Sequence, residues 1–556
     1  MKEYFPSYMY NRSMILIALC AACFFIIIIK LFFVQVINVS AVSKEAPILY
    51  KNVEKSKLNN QRKFQPLRGE IYSRSGDLFA TTLYRYRVAV DATAVSDLDR
   101  QALIDTLVNR FDIDKQKFIK NLQEKQRYIV IGRRVKADVV EDLINSERKL
   151  SGLICELDDP VRVYPQDSFA AHIVGYINYA GQAAGIEKEY FDVLEGISAK
   201  SIHDVAVDGA NVYLTIDDNI QYFVEEAIAW GYQTYNPQSI SAVVLDPKTG
   251  EILAMANYPT FNPNKFNEVA NSEYLQNSAV SYSFEPGSSF KIVTMAAALE
   301  ENKVKESDVF FCNNGEIMYK GLEIKDTTKN GDLTVTGILK RSSNIGMVKI
   351  ADMLGKNTLY NYTKLFGFTE KKNLEMSGEN IGELRPLDKW SPSDTGSFAI
   401  GYGFATNLLR LTAAYGVIAN NGVLNQMHIV KKITYPGGRE IEIMPLTIRR
   451  VISVETAKRL SAMLVHVVED GTALKSKVNG LKIAAKTGTS IVYDKKSNYK
   501  DRNRVIGTFV GYFPADDPQF VVGIMMNQPE KGSYAGESIS PIFKKIAESI
   551  KRYNGM

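Results

Sequence analysis

Histidine is scarce in this chain of 556 residues: there are four, His172, His203, His428 and His466, and no two lie within a helix turn of each other. No H-E-x-x-H occurs, so a structural or catalytic zinc site is hard to assemble. Cysteine is equally rare, at four. Cys20 and Cys23 form a C-x-x-C inside an apolar run and read as membrane-buried residues, while Cys155 and Cys312 lie far apart and need not pair. The fold does not lean on a disulfide framework. An excess of one charge is also missing. The 67 basic residues face 62 acidic ones, and a net charge of +5 is too small to point to a nucleic-acid partner. Beyond residue 37 no stretch reaches eighteen apolar residues, which excludes a polytopic membrane protein. No segment repeats internally.

What remains is a globular composition, 46% hydrophobic and 23% charged. The length suggests about three or four domains. Residues 14–29 are an unbroken apolar run of sixteen; Lys30 interrupts it, and residues 31–37 continue it with only Gln35 polar. Taken together, residues 14–37 make a helix of about 36 Å, long enough to cross a bilayer with some tilt. Lys30 would then snorkel toward the far interface. The run is long for a cleaved signal peptide, and no small-x-small site follows it. Lys2 and Arg12 outweigh Glu3 ahead of the span. The expectation is a cytoplasmic tail (1–13), a single-pass signal anchor (14–37) and a large extracytoplasmic body.

Residues 38–65 are polar and mixed, and read as a stalk. From 97 to 147 the pattern is helical, with apolar positions at Leu103, Leu107, Phe111, Phe118 and Leu122. Residues 160–220 are rich in glycine, tyrosine and short apolar runs, and predict an irregular mixed α/β module. The texture changes near 236. β-rich runs at 241–245 and 252–256 flank Asp246-Pro247-Lys248-Thr249-Gly250, a hairpin with turn chemistry. Runs at 507–513 and 520–526 flank 514–518 as a second hairpin. Ile542, Phe543, Ile546, Ala547 and Ile550 then recur at helical spacing behind Pro541. The predicted fold class is α+β. A stalk and pedestal occupy 38–235, and 236–556 form a domain with a central antiparallel sheet flanked by helices.

Three short stretches carry chemistry. In Phe284-Glu-Pro-Gly-Ser288-Ser-Phe-Lys291, Pro286-Gly287 breaks the chain and a helix-forming run follows. Ser288 therefore sits at a helix N-terminus, with Lys291 three residues on and on the same face. Such a pair serves as nucleophile and base, because a free serine needs a neighbour to take its proton. The helix start favours developing negative charge. A lysine acts as base only when neutral, and at a pKa near 10.4 roughly one in 2,500 is neutral at pH 7. Burial or a second cation must lower it. Alone, Ser-x-x-Lys fits a capped helix with a solvated lysine equally well. Arg341-Ser342-Ser343-Asn344 places Ser342 and Asn344 where both can enter one cleft, or else is a simple cap and turn. Ile483-Ala-Ala-Lys486-Thr487-Gly488-Thr489 supplies the second cation, and Gly488 would let a substrate backbone approach the strand.

In this order the three motifs resemble those of the penicillin-binding protein and serine β-lactamase superfamily. The middle motif is S-S-N rather than S-D-N, which is similar to the S-x-N of penicillin-binding proteins. Arg68-Gly69-x-Ile71-x-x-Arg74-x-Gly76, Arg162-Val-Tyr164-Pro165, His172-Ile-Val-Gly175, Gly185-Ile-Glu187-Lys and Leu214-Thr-Ile-Asp217 resemble the pedestal of class B members. Asp246-Pro-Lys-Thr-Gly250 resembles the opening hairpin of their transpeptidase domain. Phe284-Glu-Pro-Gly, Ser342-Ser-Asn344 and Gly401-Tyr402-Gly403 are most similar to the division type. The resemblance spans roughly residues 60–550. One departure is Leu408-Leu-Arg410, where many relatives read Thr-Pro-Leu-Gln.

The resemblance implies a serine D,D-transpeptidase that cross-links peptidoglycan stem peptides in septal synthesis and is acylated by β-lactams. Ser288 would be the nucleophile and Lys291 its base. Ser342 and Asn344 would relay protons and hold the donor amide, and Lys486 would lower the pKa of Lys291. Thr487, Gly488 and Thr489 would line the substrate strand, with the N–H groups of Ser288 and Thr489 as the oxyanion hole. Neither a metal nor an organic cofactor is implied. The implied partners are stem peptides, β-lactams, the membrane, and a polytopic peptidoglycan polymerase with other division proteins. An elongation-type transpeptidase and a β-lactam sensor or scaffold without turnover remain the alternatives.

Overall fold

The computed structural model describes residues 66–145, 150–178, 180–198, 206–369, 376–494, 499–532 and 534–556, without the side chains of 492–504. The expected tail, anchor and stalk at 1–65 lie outside the described residues. Among the described residues, no helix is long and apolar enough to cross a membrane.

The chain forms two compact units. The smaller includes Thr82–Arg162. Its helices Asp97–Phe111 and Lys115–Gln123 start where side chains satisfy free backbone donors: Ser96 accepts from the Asp99 N–H, and Asp114 from the Lys117 N–H. Leu103, Leu107, Phe118 and Leu122 close a core with Val88, Val90, Val140 and Leu143. The continuous helical pattern expected over 97–147 is corrected here. A strand, Ile129–Val135, separates Lys115–Gln123 from the helix Ala137–Ile144 and pairs antiparallel with Tyr86–Val90. Its Ile-Val-Ile run is β-branched, which favours a pleated, half-buried surface over a helix. Arg87 reaches Asp158 at 2.7 Å across the same sheet.

The larger unit takes Arg68–Thr81, Val163–Gly196 and Asp208–Met556. Residues 163–196 are irregular, as expected, with short helices at Ala171–Val174, Gly185–Glu189 and Phe191–Glu195. Glu187 is fully buried, where Arg68 Nε (2.6 Å) and the Tyr164 hydroxyl (3.2 Å) both donate to its carboxylate. Strand Ile71–Tyr72 runs parallel to Asn211–Leu214, which pairs in turn with Val430–Thr434.

The main sheet has five antiparallel strands in the order Ala484–Asp494, Tyr499–Phe513, Phe520–Asn527, Ser239–Leu245, Ile252–Tyr258. Both expected hairpins are present, and the first and last hairpins meet at the sheet's centre. The register assigns the faces. Gly511 pairs with Val522, so positions 511 and 523 point to opposite sides. A side chain at 511 would meet Phe543 of the helix Ser540–Asn554, and one at 523 would meet Thr412 of the helix Leu408–Ala419. The helix Asp218–Tyr235 packs beside Ser540–Asn554 on the first face. Lys291–Glu300, buried from Lys291 to Leu299, lies among the helices beyond the second face. A helix apolar all round is a core helix, and this one carries a single lysine at its first residue.

Candidate active site

The active-site chemistry starts from how the central helix begins. Gly287–Phe290 forms a single 3-10 turn before the α-helix Lys291–Glu300. Residues three apart eclipse in a 3-10 turn, so Ser288 and Lys291 share one side. Gly287 has φ +55°, and its N–H donates to Gly401 O at 3.0 Å. A Cβ there would come within 2.8 Å of Thr489 O. At the next residue but one, Ser289 Oγ lies 2.5 Å from Thr508 Oγ1, and the Tyr415 hydroxyl donates to Ser289 O at 2.8 Å. Ser288 is thus held between two residues that touch the edge strand and its neighbour.

Ser342 and Asn344 sit at the junction of two helices. Ser342 ends Val335–Arg341 in the left-handed region (φ +58°), and Ser343 caps Asn344–Leu354, its Oγ accepting from the Gly346 N–H. The simple cap and the cleft are therefore both present, on adjacent residues. Lys291 Nζ donates to Ser342 O (2.7 Å) and Asn344 Oδ1 (2.7 Å), and stands 3.2 Å from Ser342 Oγ. Lys486 Nζ reaches the same Ser342 Oγ at 2.9 Å and Thr487 O at 2.9 Å. Lys486 pairs with Val510, and Gly488 with Thr508, so both point to the second face of the sheet, the side of the helix Leu408–Ala419. Ser342 Oγ consequently bridges two fully buried amines.

Burial sets their protonation. Lys291 is pushed down to about 7, mostly by loss of water, with the Asp326 carboxylate pulling the other way. Lys486 is lowered well below its ordinary value by burial and then by the charge of Lys291. The coupling runs opposite to the expectation: burial lowers Lys291, and the charge of Lys291 in turn lowers Lys486. Two buried like charges sharing one hydroxyl lose a proton as a unit. A neutral Lys291 keeps two N–H donors for its two carbonyl acceptors and turns its lone pair to a hydroxyl.

Of the residues expected from sequence, Lys291, Ser342, Asn344 and Lys486 converge in one hydrogen-bonded cluster. Ser288 is half-buried, and its hydroxyl makes no hydrogen bond among the described residues. Thr487 and Thr489 alternate to the other face, where Thr487 is only 8% exposed and bonds Thr472 at 3.0 Å. The close approach at Gly488 is made by the protein itself, since a Cβ there would lie 2.1 Å from Ser289 Oγ. His172 is buried, T-stacked on Phe261 and bonded to Tyr274 O, and burial lowers its pKa to about 4.

The sequence reading missed Asp326, Thr472 and Thr508. Asp326 accepts from Asn344 N (2.6 Å), Ile345 N (3.1 Å) and Ser343 Oγ (2.7 Å). It lies sixteen residues before Ser342 in a polar stretch, and no spacing rule connects the two.

Residues 240–548 match the penicillin binding protein transpeptidase domain, and residues 63–219 match the penicillin-binding protein dimerisation domain. The chain is a class B penicillin-binding protein. It is 35% identical over 472 residues to penicillin-binding protein PbpB of Mycolicibacterium smegmatis, covering 79% of this chain and 72% of that one. It is 29% identical over 512 residues to peptidoglycan D,D-transpeptidase FtsI of Escherichia coli, covering 87% and 83%. Among solved structures it is similar to penicillin-binding protein 3 of Mycobacterium tuberculosis in complex with aztreonam, with a TM-score of 0.72 at 29% identity, covering 89% and 97%. The dimerisation and transpeptidase regions follow one another along the chain.

Proposed function

We propose that this penicillin-binding protein is a serine D,D-transpeptidase that cross-links peptidoglycan stem peptides in septal synthesis, with Ser288 as the residue β-lactams acylate. One observation carries the mechanism: the Ser342 hydroxyl stands between two fully buried lysine amines, one of them near neutrality. Ser288 Oγ attacks the carbonyl carbon of the penultimate D-Ala, and its proton passes to neutral Lys291. N–H groups at the start of the helix have no intrahelical partner, and with that of Thr489 they hold the oxyanion. The C–N bond to the terminal D-Ala breaks as Lys291 returns the proton, through Ser342, to the departing amine. The amine of a second stem then attacks the ester. Its proton goes to Lys291, and Ser288 regains a hydrogen as the C–O bond breaks. Asn344 orders the donor amide. Ala484–Asp494 is the sheet's edge strand, so an extended peptide can pair along residues 487–489. The scheme needs no metal or organic cofactor.

The same reading divides the chain into tail (1–13), anchor (14–37), stalk and pedestal (38–235) and transpeptidase domain (236–556). The pedestal docks a polytopic polymerase and other division proteins. The names of PbpB and FtsI, and the aztreonam complex of penicillin-binding protein 3, support the reaction and the ligand class.

Labelled penicillin applied to wild type and Ser288→Ala tests the chemistry. Covalent label on the first and none on the second is expected, and an unlabelled wild type would overturn the proposal. Depletion in cells separates the roles: filaments support division, whereas rounded cells favour an elongation enzyme. Label without cross-linked product from stem peptides would favour a sensor or scaffold.

A further inference from the structure

Asp326 follows the strand Leu322–Lys325, outside the three motifs, yet its carboxylate organises the middle one. Oδ1 accepts from the first two N–H groups of the helix Asn344–Leu354, those of Asn344 (2.6 Å) and Ile345 (3.1 Å). Oδ2 accepts from Ser343 Oγ (2.7 Å) and Asn330 Nδ2 (2.8 Å). The preceding carbonyl, Lys325 O, accepts from Asn344 Nδ2 at 2.6 Å. This fixes the amide so that Oδ1 of Asn344 faces Lys291 Nζ at 2.7 Å. A helix N-terminus is a natural place for a carboxylate, and these bonds are charge-assisted. Here the capped helix is the one whose first residues touch the lysine cluster.

We propose that Asp326 is a positioning residue of the acylation step: its carboxylate locks the Ser342–Ser343–Asn344 turn onto Lys291 and places a negative charge near that lysine. The inference rests on the transpeptidase reading of that cluster. Its charge and its shape act separately. As a hydrogen-bond acceptor it holds the acceptors of Lys291 in place. As a charge it favours the protonated lysine, opposing the burial that frees the base. The groups facing Lys291 are Asp326, Lys486, Ser342 and Asn344. Near Asp326 lie the buried thiol of Cys312 and the amine of Lys349, which bonds Phe311 O and Asn313 Oδ1.

The test measures the rate of acylation by a fluorescent penicillin from pH 5.5 to 9, on the full-length protein. Wild type is expected to gain activity with rising pH through a midpoint near about 7, as Lys291 loses its proton. Asp326→Asn keeps an acceptor oxygen for the helix N–H groups and removes the charge, so protonated Lys291 is less favoured. Its acid limb is expected to move to lower pH by about half a unit or more. Asp326→Ala loses the cap and is expected to acylate about tenfold to a hundredfold more slowly at every pH. Asp326→Glu keeps the charge and spoils the fit, so its rate falls while its limb keeps the wild-type position. An Asp326→Asn profile superimposed on wild type overturns the electrostatic half. Wild-type rates in Asp326→Ala or Asp326→Glu overturn the positioning half, and the glutamate variant decides even if the asparagine variant does not fold. A wild type that is never labelled would instead defeat the transpeptidase reading.

Discussion

Lys291 does two jobs that conflict in water. It must be basic enough to take a proton from serine and yet be unprotonated near pH 7. Placing it at the first residue of a fully buried helix resolves this, because desolvation penalises its charged form. With a pKa of about 7, about half the molecules carry a neutral base at neutral pH. Lys291→Arg keeps the charge but cannot release a proton, and is expected to lower penicillin acylation about a hundredfold or more. Arg410 is a different case. It is 2% exposed, donating from Nε to Glu379 Oε1 at 2.8 Å and from Nη1 to Gly367 O at 3.0 Å. A buried pair adds little net stability, but an orphaned buried charge is costly. Arg410→Met should therefore destabilise the protein by about 3–5 kcal/mol. Arg410→Met combined with Glu379→Leu should recover most of that, as read from urea unfolding curves. The departure at this position thus supports the fold, through Glu379 and Gly367, rather than touching the lysine cluster.

At the scale of elements, the site is a junction of one helix start, one helix-to-helix turn and one edge strand. Its tolerance is set where the helix start meets the strand. Gly488 has no room for a methyl group, with Ser289 Oγ 2.1 Å and Thr508 Oγ1 2.5 Å from the Cβ it would carry. Gly488→Ala is expected to push the strand off the turn, costing about 1–3 kcal/mol of stability. It should also slow acylation about tenfold or more, because Lys486 moves with the strand. Stopped-flow labelling and thermal unfolding on the same preparation separate the two effects. Ser-x-x-Lys, Ser-x-Asn and Lys-Thr-Gly were legible in sequence because each is local: a breaker before a helix, a polar junction, a β-like run ending in glycine. The two hairpins and the final helix were legible for the same reason, as periodicity with turn residues. The strand Ile129–Val135 was not, since seven residues inside a helical window look like a continuation.

At the scale of the whole molecule, the two compact units have separate cores. The larger holds every residue assigned to chemistry, from Ser288 to Thr489. A fragment beginning at residue 66 is expected to be soluble and still labelled by penicillin, whereas the full chain should sediment with membranes. Full-length protein found in the soluble fraction would argue against an anchor at residues 14–37.

The sequence by itself pointed to the reaction class through resemblance, because nucleophile, base and second lysine stand in three short motifs that, in their order, are similar to those of the penicillin-binding protein superfamily. It also determined the α+β arrangement of the hairpins and final helix. Only the tertiary structure decided which groups share a proton. That depends on Ser342 Oγ reaching amines 51 and 144 residues away, and on burial that no single segment possesses. Asp326 became visible for the same reason: a carboxylate's influence falls with distance in space, and distance along the chain does not report it.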